Sequence, residues 1–168
     1  MSASTEKLLD QFVENTIYRM DENTRKIEAC LGELNEDEIW KKPNKSSNSV
    51  GNQILHLCGN IRQYIIASLG HNEDTRTRDA EFTTTSGFDK NELMQMLATT
   101  LNEAKQIIKN ASEAEMLRSR PVQAYEYTGL GNVLHVLEHY SYHTGQIIFW
   151  VKQLKNKDLG FYNDRDLG

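Results

Sequence analysis

The chain has 168 residues, a formal charge of -5 and no basic block or Lys/Arg-rich arm, which suits one domain with one core and argues against nucleic acid as a direct partner. Its longest apolar runs fall far short of a membrane span, and the N-terminus MSASTEKLLDQF is charged early with no apolar signal core. Cys30 and Cys58 form no C-x-x-C pattern and no disulfide framework, so the chain reads as a cytoplasmic protein with reduced thiols.

Only Pro43 and Pro121 interrupt long periodic segments, which predicts an all-α fold. The first helix is predicted from about Ser4 to Leu31, with a stripe of Leu8, Phe12, Ile17, Met20, Ile27 and Leu31 and a stop at Gly32. A connector follows, with a helical turn around Glu36–Trp40. The second helix starts at Asn48 or Ser49, either of which can cap it, and runs to Leu69 before Gly70. The polar stretch HNEDTRTRDAEFTTTSGF is too long for a plain bundle turn and reads as either a functional loop or a mobile one. A third helix is predicted from Asp89 to about Ala114. RSRPVQAYEYTG is an extended connector in which Gln123–Tyr127 pairs briefly as a strand. The fourth helix runs from Gly129 or Leu130, capped by Thr128, to Lys155, and Leu159, Phe161 and Tyr162 of the tail dock on the bundle.

Charge separates these helices into two kinds. The first and third carry many acids and bases, as solvent-facing bundle helices do. From Val50 to Leu69 the one formal charge is Arg62, and from Thr128 to Val151, histidines aside, it is Glu138. On a helical wheel Val50, Ile54, Leu57, Ile61, Tyr64 and Ile65 share one side of the second helix. Asn52, Gln53, His56, Asn60 and Gln63 share the other. A face of neutral hydrogen-bonding groups suits a shielded polar pocket; the plainer alternative is an exposed face that lacks Lys and Glu. Cys58 falls on the apolar side and reads as core.

On the fourth helix His135, His139 and His143 recur every four residues, each within roughly 40° of the next on one helix face. Two imidazoles at i and i+4 grip a transition metal from one helix, although H-x-x-x-H also arises by chance. The apolar arc is Val133, Val136, Leu137, Tyr140, Ile147, Ile148 and Val151. His143 lies beside it, His139 further out and His135 furthest. The better pair is therefore His139 and His143, and His135 is a supporting group, a rival ligand or, the preferred reading, a surface histidine. Facing helices of a bundle share core sites, and His56 is the well-placed third imidazole, whereas His71 looks unremarkable. Three neutral nitrogens would leave coordination positions open, the pattern of a catalytic metal site.

The segments NSVGNQILHLCGNIRQYI and EHYSYHTGQI, with LNEDEIWKKPN, RTRDAEF and the DLGFY tail, resemble the DinB-like superfamily of four-helix metalloproteins over essentially the whole chain. The resemblance implies an up-down-down-up four-helix bundle, a homodimer, and a divalent metal, usually zinc or nickel, held by His56, His139 and His143. Some relatives have Glu where this chain has His139. The resemblance also implies a small-molecule substrate and chemistry with a low-molecular-weight thiol, so the leading expectation is a thiol-dependent S-transferase. A metal-dependent hydrolase and a non-catalytic metal-binding or stress-associated bundle are the alternatives. Asn60, one turn beyond His56, and Gln146, near His143, are the candidate substrate-orienting groups, with ordinary helix polarity as the competing reading. Glu138 lies off the histidine face and is not the expected base.

Overall fold

A computed structural model of the chain describes residues 3–163 and Asp166. Helix α1 spans Ala3–Glu33 and α2 spans Glu36–Trp40. Helix α3 spans Val50–Ile61 and continues without a break into a π-helical segment, Arg62–Leu69. Helix α4 is Arg78–Thr83, α5 is Lys90–Asn110 and α6 is Glu113–Leu117. Strands β1 (Ser119–Val122) and β2 (Tyr125–Thr128) form an antiparallel hairpin, and α7 covers Gly129–Lys155.

The helix starts follow from their caps. Asn35, Ser49 and Asp89 each accept a hydrogen bond from the backbone three residues on, and each is answered by that residue's side chain. Thr128 caps α7 through the Gly131 amide, and Asn156, in the left-handed conformation, closes it. Three boundaries differ from the sequence expectation. Helix α1 runs through Gly32, the expected stop, to Glu33. The third helix stops at Asn110, because Ala111 turns extended and Ser112 opens a separate helical turn, α6. Gln123 is not in a strand: at φ 52 it makes the tight turn, so the strands are 119–122 and 125–128.

The core sits between α1, α3 with its π-helical continuation, α5 and α7. Met20, Ile27 and Leu31 of α1 meet Val133, Val136, Tyr140, Ile147 and Val151 of α7, and Leu93, Leu97, Leu101 and Ile108 of α5 meet the apolar side of α3. Helix α1 packs chiefly on α7, and α3 on α5 and α7, so α1 and α3 occupy opposite corners of the bundle. This is the expected all-α helical bundle. Leu159 and Phe161 pack on its core, while Tyr162 lies half exposed over Lys26. Among the described residues no helix is long and apolar enough to cross a membrane.

The π-helical segment widens the buried side of this helix beyond the Tyr64 and Ile65 that the wheel places there. Its wider turn leaves Tyr64, Ile65, Ile66 and Leu69 all buried. Its end bonds five residues back, from the Gly70 amide to the Ile65 carbonyl at 2.8 Å. Polar side chains brace it: Asn132 of α7 donates to the Tyr64 carbonyl and the Ser68 hydroxyl, and buried Arg120 donates to the Ser68 carbonyl.

Candidate metal centre

The neutral face of α3 is buried. Asn52, Gln53, His56 and Asn60 are all shielded from solvent, so the pocket reading holds and the exposed-face alternative does not. Against this face α7 presents His139 and His143. His56, His139 and His143 each offer a ring nitrogen, and these atoms lie within 4.8 Å of one another. The Nε2 atoms of His56 and His139 are 2.9 Å apart. Two imidazole nitrogens bound to one tetrahedral ion would be separated by about 3.3 Å, given metal–nitrogen bonds of about 2.0–2.1 Å. The arrangement is thus already near ligating geometry.

The long polar stretch after the second helix is a structured wall of this pocket. Helix α4 folds back onto α3, held by Asn52, whose amide donates to the Glu81 and Thr84 carbonyls at 3.0 and 2.7 Å. This puts the Glu81 carboxylate 2.7 Å from His56 Nδ1. Arg76 grips the same carboxylate through two bonds, Nε to Oε1 at 2.7 Å and Nη2 to Oε2 at 2.9 Å. Arg76 Nη2 also lies 3.3 Å from His56 Nδ1. Both are donors toward Glu81, and the shorter carboxylate contact decides the ring's proton: Nδ1–H donates to Glu81. The Nε2 lone pair of His56 is therefore free to face His139. Burial works to raise the Glu81 pKa, but hydrogen bonds from Arg76 and His56 outweigh it and keep the carboxyl below its ordinary range. Gly59 makes the approach possible, since a Cβ there would stand 1.9 Å from Glu81 Oε1.

His139 and His143 are held neutral. Burial first, then the neighbouring imidazoles His143, His56 and His135, lowers His139 from 6.5 to about 3. Burial and His56 lower His143 to about 4, against a small opposing effect of its hydrogen bond with Gln146. Neutral rings with available lone pairs are what a divalent cation requires. His143 Nδ1 lies 3.3 Å from the Gln53 carbonyl oxygen, which fixes the proton there and leaves Nε2 open. Phe82 of α4 closes the other side of His56 at 4.9 Å between ring centroids.

The two candidate orienting residues sit apart. Gln146 contacts His143 and lines an open groove beside it. Asn60 donates to His135 Nε2 at 3.4 Å. The surface reading of His135 gives way here: the ring is half buried, stacked on Tyr64 at 4.2 Å and on Tyr127 at 5.8 Å. The hairpin that carries Tyr127 is what covers it. Glu138 is exposed, as expected, and its charge acts on His135. Sequence reasoning missed Glu81 and Arg76. Their signal was the R-x-x-x-x-E spacing in the stretch RTRDAEF, but nothing local says that this stretch folds onto His56.

The family model described as "Protein of unknown function (DUF1572)" matches residues 7–162. Among solved structures, a conserved protein from Enterococcus faecalis superposes with a TM-score of 0.73 at 15% identity, over 86% of this chain and 97% of that one. A DinB-like protein from Bacillus subtilis gives 0.67 at 16% identity, over 88% and 96%. A DinB-like protein from Bacillus cereus gives 0.67 at 9% identity, over 87% and 94%. Identities this low establish a shared fold and nothing finer. A comparison with curated proteins yields no match.

Proposed function

The chain belongs to the DUF1572 family, one of the DinB-like families, and on that premise we propose that it is a metal-dependent enzyme centred on His56, His139 and His143. One observation carries the reading: three imidazole nitrogens converge in a shielded pocket, with Glu81 accepting a hydrogen bond from Nδ1–H of the first. The donor set fits a borderline-soft divalent ion such as zinc or nickel, and the three donors are all imidazoles, with no carboxylate among them. Bound there, such an ion would acidify a thiol or a water in an open coordination position.

The chain's own residues set the conditions for that chemistry. Glu81, kept ionised by Arg76, orients His56 and raises its basicity as a ligand. Gln53 orients His143 by accepting a hydrogen bond from its Nδ1–H. Asn60 and Gln146 present amides at the two ends of the imidazole cluster, where they would orient a small-molecule substrate. The reading is thiol-dependent S-transfer. A low-molecular-weight thiol loses its proton to solvent water, its sulfur forms a bond to an electrophilic carbon, and the bond from that carbon to the leaving group breaks, the leaving group departing with the bonding pair. The protein's own thiols play no part: burial pushes Cys58 and Cys30 to about 12. A cytoplasmic homodimer completes the reading, and light scattering of the purified chain checks its mass.

Metal analysis of the purified protein, followed by a screen of the loaded protein with glutathione or bacillithiol and an aryl halide, tests the proposal. Thiol-dependent product formation supports S-transfer. Turnover without thiol supports a hydrolase instead, and stoichiometric metal with no turnover supports a binding protein. Absence of stoichiometric metal, unchanged in His139→Ala, defeats the centre itself.

A further inference from the structure

A groove of about 810 Å³ opens beside His143, within the size range of small-molecule sites. One wall is a stripe of α7: Tyr142, Gly145, Gln146, Phe149 and Gln153, with Trp150 next to it. Their spacing keeps them along one side of the helix. The other wall is Pro43, Asn44, Ser46, Ser47 and Asn48 of the connector, with Gln53 at the inner end; Lys45, between them, is exposed and does not line it. Charged residues make up 26% of the chain, yet among the described residues none that lines the groove carries a charge. The lining is amides, hydroxyls and aromatic rings. Tyr142 and Phe149 are large and strongly exposed, at 62% and 66%, on either side of Gly145.

Gly145 shows that the space is kept open. It lies inside α7, where glycine is a poor helix former. A Cβ there would meet nothing within 4 Å, so packing does not demand its absence. The φ angle is not in the left-handed region either. What the missing side chain provides is room between the two exposed aromatics. Gln53 and Gln146 both line the groove and both hydrogen-bond His143, so a ligand lying there borders the imidazole cluster.

We infer that this groove binds a neutral ring-bearing ligand, with one apolar face set on the aromatics and a hydrogen-bonding edge turned to the amides, and presents it to the His56–His139–His143 centre. An aromatic face and an uncharged hydrogen-bonding wall would favour a neutral ring, and a charged group would lose hydration without gaining a partner. A heteroaromatic amide and a pyranoside share this chemistry. That the ligand is the substrate of the centre rests on the reading above; its binding to the groove does not.

The test is titration calorimetry of the full chain, metal content measured separately, with two neutral probes and their charged counterparts: nicotinamide against nicotinate, and methyl glucoside against methyl glucuronide. At least one neutral probe binds and its charged counterpart binds more weakly; which neutral probe binds identifies the ring type. In Gly145→Leu that binding weakens by about tenfold or more, a difference a blocked contact readily produces. Metal stoichiometry and melting temperature stay at or above those of the parent. Gly145→Ala, the smaller filling, keeps most of the binding. Equal binding of charged and neutral members, unaltered binding in Gly145→Leu, or no binding by any probe overturns the inference. If no probe binds and Gly145→Leu alters only the oligomeric mass, the groove is a contact between copies. Loss of metal with retained probe binding defeats the metal reading and leaves the groove standing.

Discussion

The chain builds a histidine–glutamate–arginine cluster twice. In one, His56 Nδ1 is 2.7 Å from Glu81, which is gripped by Arg76. In the other, His71 Nε2 is 2.9 Å from Glu115, which is gripped by Arg118 and Arg120. The residue types and distances are nearly the same. The side chains of the first are 8%, 7% and 3% exposed, whereas in the second His71, Glu115 and Arg118 are 56%, 34% and 45% exposed and Arg120 alone is shielded, at 5%. The first also has two more imidazoles converging on its free ring nitrogen, and the second has none among the described residues. The chemistry of a cluster is therefore set less by its composition than by what dries it and what else points at it. A shielded carboxylate orients a neutral ligand; a solvated one ties a loop to a helix, with its charge largely screened.

Removing the converging imidazole breaks the comparison most sharply. His139→Ala should take bound divalent metal from stoichiometric to near zero by elemental analysis, while His71→Ala leaves it unchanged. On stability, Arg76→Ala strands a buried carboxylate and should cost about 3–5 kcal/mol in urea unfolding. The exposed counterpart, Arg118→Ala, should cost about 0–1 kcal/mol. Glu81→Gln keeps the shape but removes the charge that holds the His56 proton. Metal affinity should fall by about 10–100-fold in a chelator competition, and Glu115→Gln should leave it unaltered.

Acid distinguishes the two regions more gently. His139 and His143 titrate at about 3 and about 4 in the folded chain, below their ordinary 6.5. The unfolded chain therefore takes up protons at these rings before the folded chain does. Stability of the metal-free protein is unaffected by them above pH 6.5 and declines as pH falls from there toward the folded values. A plot of urea midpoint against pH shows this slope, and His139→Phe should flatten it. The smallest effect is chemical: Cys58, buried and raised to about 12, should resist alkylation at pH 8 until the protein is unfolded.

Much of the bundle is legible in the chain. Asn35, Ser49, Asp89 and Thr128 announce helix starts through bonds that span three residues, and such bonds are local. The absence of Lys and Glu from one face of α3 marks a polar surface meant to stay dry, and that face is buried. His139 and His143 are paired by helix periodicity alone. The π-helical turn at Arg62–Leu69 carries no comparable mark, because it depends on Asn132 and Arg120 bracing carbonyls from distant segments.

By itself, then, the sequence determined the helices, their polar and apolar faces, and the pairing of His139 with His143, since each follows from spacing within a turn or two; His56 is 83 positions from His139 and reaches the pair because α3 packs on α7. Only the tertiary structure decided that α4 folds onto α3 to bring Glu81 and Arg76 to His56, that the hairpin covers His135, and that a charge-free groove opens beside Gly145. Those features join residues 20 or more positions apart, such as His56 with Arg76 and Glu81. No local periodicity encodes them; they arise where packed elements meet and exclude water.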